Sequence, residues 1–137
     1  MNVAFFLAAD YAAKEQSGKL NVLGIFNRIY AADFPAIHAS LYLVIRFIAE
    51  LGEFETKHDV KIIFVDSDGR ELSAASGQLE LPKPEGGKQL QAELIIQISN
   101  LELPKAGGYE FRVIVNKDVK AILPLDVVMR PDEKAGY

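Results

Sequence analysis

The sequence contains no cysteine and no tryptophan, only two histidines, and no run of lysine or arginine. Each shortage excludes a class of function. Without cysteine there is no disulfide, no thiolate metal site and no cysteine nucleophile, a composition compatible with the cytoplasm. Without clustered cations no groove can follow a phosphate backbone, and a net charge of −4 points the same way, so nucleic acid is not an expected partner. Without tryptophan, the aromatic platform that carbohydrate-binding sandwiches commonly present is left to five tyrosines. No stretch has the length of a membrane-spanning helix, so no membrane partner is expected. Val3 to Ala9 (V-A-F-F-L-A-A) lacks a basic leader and is short for a signal core; it fits a first strand of a soluble, cytoplasmic chain better.

What is present reads as strands. Gly18 to Tyr30 (G-K-L-N-V-L-G-I-F-N-R-I-Y) is rich in β-branched and aromatic residues and apolar on both parities, with bulge signals at Gly24 and Asn27. Before it, Asn2 to Ala9 is the first strand, and Asp10 to Lys19 a polar connection with room for one helical turn capped by Asp10. A third strand, Ser40 to Glu50, sets Leu41, Leu43, Ile45, Phe47 and Ala49 toward a core. The alternation of Val60, Ile62 and Phe64 gives a fourth, and Asp68-Gly69 predicts a type I′ hairpin turn after it. A fifth strand, Glu71 to Leu81, changes parity, which places a bulge near Gly77. Leu90 to Ser99 alternates most cleanly of all. Two further strands follow, Tyr109 to Val115 and Val119 to Met129, the latter interrupted by Pro124.

About eight strands with almost no helical periodicity predict one all-β domain over residues 1–130, with a flexible tail over 131–137. Within 137 residues that are 50% hydrophobic, a single core is well supplied. The segment Leu103-Pro104, then Gly107-Gly108-Tyr109-Glu110-Phe111, resembles the tyrosine corner of immunoglobulin-like sandwiches. The expected fold is an antiparallel β-sandwich, Ig-like in the broad sense, with a small β-barrel as the alternative.

Asp10, Gly18-Lys19-Leu20-Asn21-Val22-Leu23-Gly24-Ile25-Phe26 and Phe34-Pro35 together resemble the N-terminal signature of an uncharacterised bacterial family. The likeness continues at Asp68-Gly69, Gly108-Tyr109-Glu110-Phe111 and Pro124-Leu125-Asp126-Val127, and so covers most of the chain. That family is a domain of unknown function with the size of one β-sandwich. The resemblance implies the fold and no activity. One departure is Ala9, where the family commonly has cysteine.

Candidate chemistry is thin. Asp66 and Asp68 begin like a calcium loop, but the twelfth position is Gly77 where a closing glutamate is needed, so a polar hairpin is the better account and they stay weak metal candidates. His38 and His58 have no spacing that pairs them with a nucleophile, there is no G-x-S-x-G elbow, and Gly86-Gly87-Lys88 lacks the phosphate-loop frame. No catalytic or cofactor-binding residue is assigned, and no cofactor. The apolar second face of strand two and the mixed face of strand three, with Tyr42, Val44, Arg46 and Ile48, are the interface candidates. The expected function is non-enzymatic protein association, as a homodimer or accessory subunit; the alternative is a module binding a small ligand or carbohydrate through its loops.

Overall fold

The structure, a computed structural model, describes residues 1–50, 52–83 and 90–130. Among the described residues there are nine strands: β1 (Asn2–Lys14), β2 (Leu20–Phe26), β3 (Arg28–Ala31), β4 (Ala36–Ala49), β5 (Lys57–Val65), β6 (Glu71–Glu80), β7 (Leu90–Leu103), β8 (Gly107–Val115) and β9 (Asp118–Met129). They form a four-stranded first sheet, β2-β1-β4-β7, and a five-stranded second sheet, β3-β9-β8-β5-β6. The chain is a β-sandwich. Every pairing is antiparallel except β3 with β9, which is parallel.

The inner faces meet in one core. Leu41, Leu43, Ile45 and Phe47 of β4 are fully buried, as their parity predicts, and face Phe64, Phe111, Val113 and Leu125 of the second sheet. The Phe64 ring stacks on Tyr109, with centroids 5.2 Å apart. The Tyr109 hydroxyl donates to the Lys105 carbonyl at 2.6 Å, the backbone bond that a tyrosine corner makes.

Five local expectations are corrected. Asp10 to Lys14 is not a helical turn but the second half of β1: Tyr11, Ala12, Ala13 and Lys14 pair with Leu23, Val22, Asn21 and Leu20. Cross-strand pairing there overrides the helix preference of alanine and lysine. Ser17-Gly18 forms the turn of this hairpin, with Gly18 at φ +91°. Next, Gly18 to Tyr30 is two strands. The chain leaves the first sheet at Asn27, whose carbonyl accepts the Asp126 amide at 2.9 Å, and β3 joins the second sheet beside β9.

β4 begins at Ala36, ahead of the expected start at Ser40. The parity change after β5 comes from an irregularity at Phe64/Val65, while Gly77 sits in regular register with Val60. The turn before β6 is not type I′, because among its residues only Gly69 has positive φ; Gly69 donates to the Asp66 carbonyl and the Asp66 carboxylate accepts from Asp68 and Arg70. Gly86-Gly87-Lys88 and the tail expected at 131–137 lie outside the described residues.

Candidate functional site

The outward face of the first sheet is built from side chains that alternate with the core. Register sets Ile95, Val44 and Leu7 in one row across β7, β4 and β1; Glu93, Arg46 and Phe5 in the row on one side; and Gln97, Tyr42, Ala9 and Ile25 in the row on the other. Tyr11 and Leu23 extend the patch along the β1–β2 hairpin. Tyr11, Leu23 and Ile25 are exposed at 48%, 62% and 60%. For a water-facing sheet surface this is a large contiguous apolar area.

All four interface candidates lie on this face, though not as the exposed stripe expected of them. Val44 has no exposed surface, and Tyr42, Arg46 and Ile48 are half-buried. Large neighbours on every side roof the valine. Tyr42 meets the Tyr11 ring edge-on at 5.3 Å, and the Arg46 guanidinium lies 4.9 Å over the Phe5 ring. Arg46 and Lys14 approach the same Glu93 oxygen, at 3.6 and 3.9 Å, so one carboxylate offsets one of two cations and the three groups leave a single positive charge. The accessible part is thus shifted toward β1 and β2. Phe5, Leu7, Tyr11 and Ile95 escaped the sequence reading, although Phe5, Leu7 and Tyr11 share a parity opposite to the core residues Phe6 and Ala8.

The histidines stand apart, His38 on β4 and His58 on β5, in different sheets. His58 is buried and fully occupied: Nε2 meets the Glu53 carbonyl at 2.8 Å and Thr56 Oγ1 at 3.0 Å, and Nδ1 accepts from Asn116 at 2.9 Å. It staples the loop before β5 to the β8–β9 turn. His38 borders a 450 Å³ cleft lined by Asp10, Phe26, Arg28, Ile29 and Tyr30. Burial pushes its imidazole below the usual range, opposed by the Asp10 carboxylate and the Ser40 backbone, and its Nε2 has no partner. Gly24 makes room for this arrangement: at φ +69°, a Cβ there would lie 2.4 Å from Asp10 Oδ2. No serine lines the cleft. Asp66 is committed to its own turn, Asp68 lies 3.7 Å from Lys105, and among the described residues no three metal-ligating side chains converge.

A second apolar feature runs along the open side of the sandwich, between edge strands β6 and β7. It is a groove with lobes of 510 and 290 Å³ that share Ile62, Ala75 and Ile96.

A family model described as "Family of unknown function (DUF6941)" matches residues 4–128. No curated protein is matched by the sequence. Among solved structures, the chain is similar to part of a β-glucosidase from Listeria innocua. With the isofagomine complex the identity is 10% over 74% of this chain and 15% of that chain, at a TM-score of 0.45. With the gluconolactone complex it is 8% over 90% of this chain and 16% of that chain, at a TM-score of 0.46. The chain spans about a sixth of the length of those enzymes.

Proposed function

The chain belongs to this family of unknown function, and from that premise we propose that it is a non-catalytic cytoplasmic module that works by protein association across the outward face of its first sheet. The observation that carries the proposal is the exposure of Leu23, Ile25 and Tyr11 beside the row of half-buried Leu7, buried Val44 and half-buried Ile95. Covering those side chains is favourable at roughly 25 cal/mol per Å² of apolar surface. The occupant we favour is a second copy related by a two-fold axis, which would set the exposed Leu23, Ile25 and Tyr11 of one face against those of the other, while Arg46 and Lys14 of each face share its one Glu93. An interior free of cysteine suits a reducing compartment.

Light scattering over a concentration series tests this. The wild type is expected as a dimer at about tens of micromolar, the range of a weak association, and Ile25→Lys as a folded monomer. A wild type that stays monomeric there overturns the homodimer.

A small ligand in the Asp10–His38 cleft is the second reading, favoured by the unpartnered His38 Nε2. A ligand there would shift the His38 ring resonances and leave the molar mass unchanged.

A further inference from the structure

We propose that the groove between β6 and β7 accepts an extended segment of a different protein by strand addition, at a surface independent of the first-sheet face. Among the described residues β6 pairs only with β5, and β7 only with β4, so each turns a row of unpaired backbone N–H and C=O groups toward the open side. Sheet edges are commonly protected by lysine or proline. Neither β6 (E-L-S-A-A-S-G-Q-L-E) nor β7 (L-Q-A-E-L-I-I-Q-I-S-N-L-E-L) contains lysine, arginine or proline.

The side chains make room as well. Register places Ser73, Ala75 and Gly77 beside Phe64, Ile62 and Val60, so the smallest residues of β6 face the interior side. Opposite them stand the half-buried Leu94, Ile96 and Ile98 of β7, with Leu72 and Leu79 toward the two ends of β6. From Leu72 to Leu79 an extended chain runs about 23 Å, at about 3.3 Å per residue. The groove therefore fits a strand of about eight residues with apolar side chains at alternate positions.

Charge argues against a second copy as this occupant. Two-fold antiparallel pairing of β6 with itself, centred between Ala75 and Ser76, sets Glu71 opposite Glu80 at both ends, and like charges directly opposite destabilise a pair. Among the described lining residues Glu102 alone is charged, so a fitting segment carries a lysine or arginine near one end.

The test is selection of a random nonapeptide library displayed on phage, panned in parallel on wild type and on Ala75→Phe. Ala75 is exposed on the edge, and phenylalanine there fills the groove against Ile62 and Ile96, which line it. Wild type is expected to enrich alternating apolar sequences with a terminal cation. In anisotropy titrations the synthesised binders should weaken by more than about tenfold on Ala75→Phe, and likewise when alternate backbone nitrogens are methylated, because strand addition needs those N–H groups. Glu102→Gln should cost about two- to five-fold, the range of an exposed ion pair. Ile25→Lys should leave binding unchanged, which separates this surface from the self-association face. No enrichment over the Ala75→Phe panning, or binders indifferent to N-methylation, overturns the proposal.

Discussion

Phe47 of the first sheet and Phe111 of the second are both sealed between the layers, at 0% and 2% exposure, yet the reverse sides of their sheets differ. On the first sheet Ile25 stands beside Ala9 and Tyr42, with Leu7, Val44 and Ile95 in the next row. On the second, Ile122 stands beside Arg112, itself 3.0 Å from Glu110, and Asp59, Lys61 and Asp126 share the surface. A sandwich needs one apolar face per sheet, and the second sheet has that. The first has two. The inner faces explain why the chain folds; on the outer face of the first sheet Val44 is sealed by its own neighbours, and the exposed Leu23, Ile25 and Tyr11 are the surplus that makes that face the informative one.

Placing a charge on each outer face should expose this difference most strongly. Val44→Glu buries a carboxylate with no cation in its row, so a loss of more than about 3 kcal/mol is expected. Ile122→Glu instead meets Arg112 across the strand pair at a half-exposed site and should change stability by less than about 0.5 kcal/mol. Urea denaturation of the two variants measures the gap; equal midpoints would mean the two surfaces are energetically alike. Val44→Glu accordingly reports on folding, and association is better probed through the exposed Leu23 and Ile25.

A smaller effect concerns acid. Burial lowers the His38 pKa against the pull of Asp10 and Ser40, so below about pH 6.5 the unfolded chain binds this proton more readily than the folded one. Stability from this group is therefore present above that range and is lost as pH falls through it. His38→Gln should narrow the difference in melting temperature between about pH 7.5 and pH 5.5. An unchanged difference would assign the acid sensitivity to other groups.

The core was legible because it is written as alternation. Leu41 to Ala49 and Leu90 to Ile98 each name their buried face within a single strand, and both hold. Asp10 to Lys14 misled because its local preference is helical, and only the register with Leu20 to Leu23 makes it a strand. Gly77 drew the bulge wrongly because glycine marks the freedom to bulge, whereas the irregularity arises where Phe64 and Val65 pair with Ser73 and Glu71, so that Leu72 is the extra residue on β6. Val44 shows a further limit. Its parity places it on the outer face, as the alternation says, but its burial depends on Leu7 and Ile95, which lie 37 and 51 residues away in the chain and become neighbours only through strand order. The groove between β6 and β7 was invisible for the same reason, since it is a property of which strands end up at the edges.

The most direct test of the first-sheet face compares both outer surfaces in one sample. Methyl relaxation with a soluble paramagnetic probe reads solvent access at Leu23 and Ile25 on the first sheet and at Ile114 and Ile122 on the second. As protein concentration rises through the association range, the account predicts that the probe's effect on Leu23 and Ile25 falls while that on Ile114 and Ile122 stays constant. Constant values at all four, or shielding confined to Ile114 and Ile122, would contradict it.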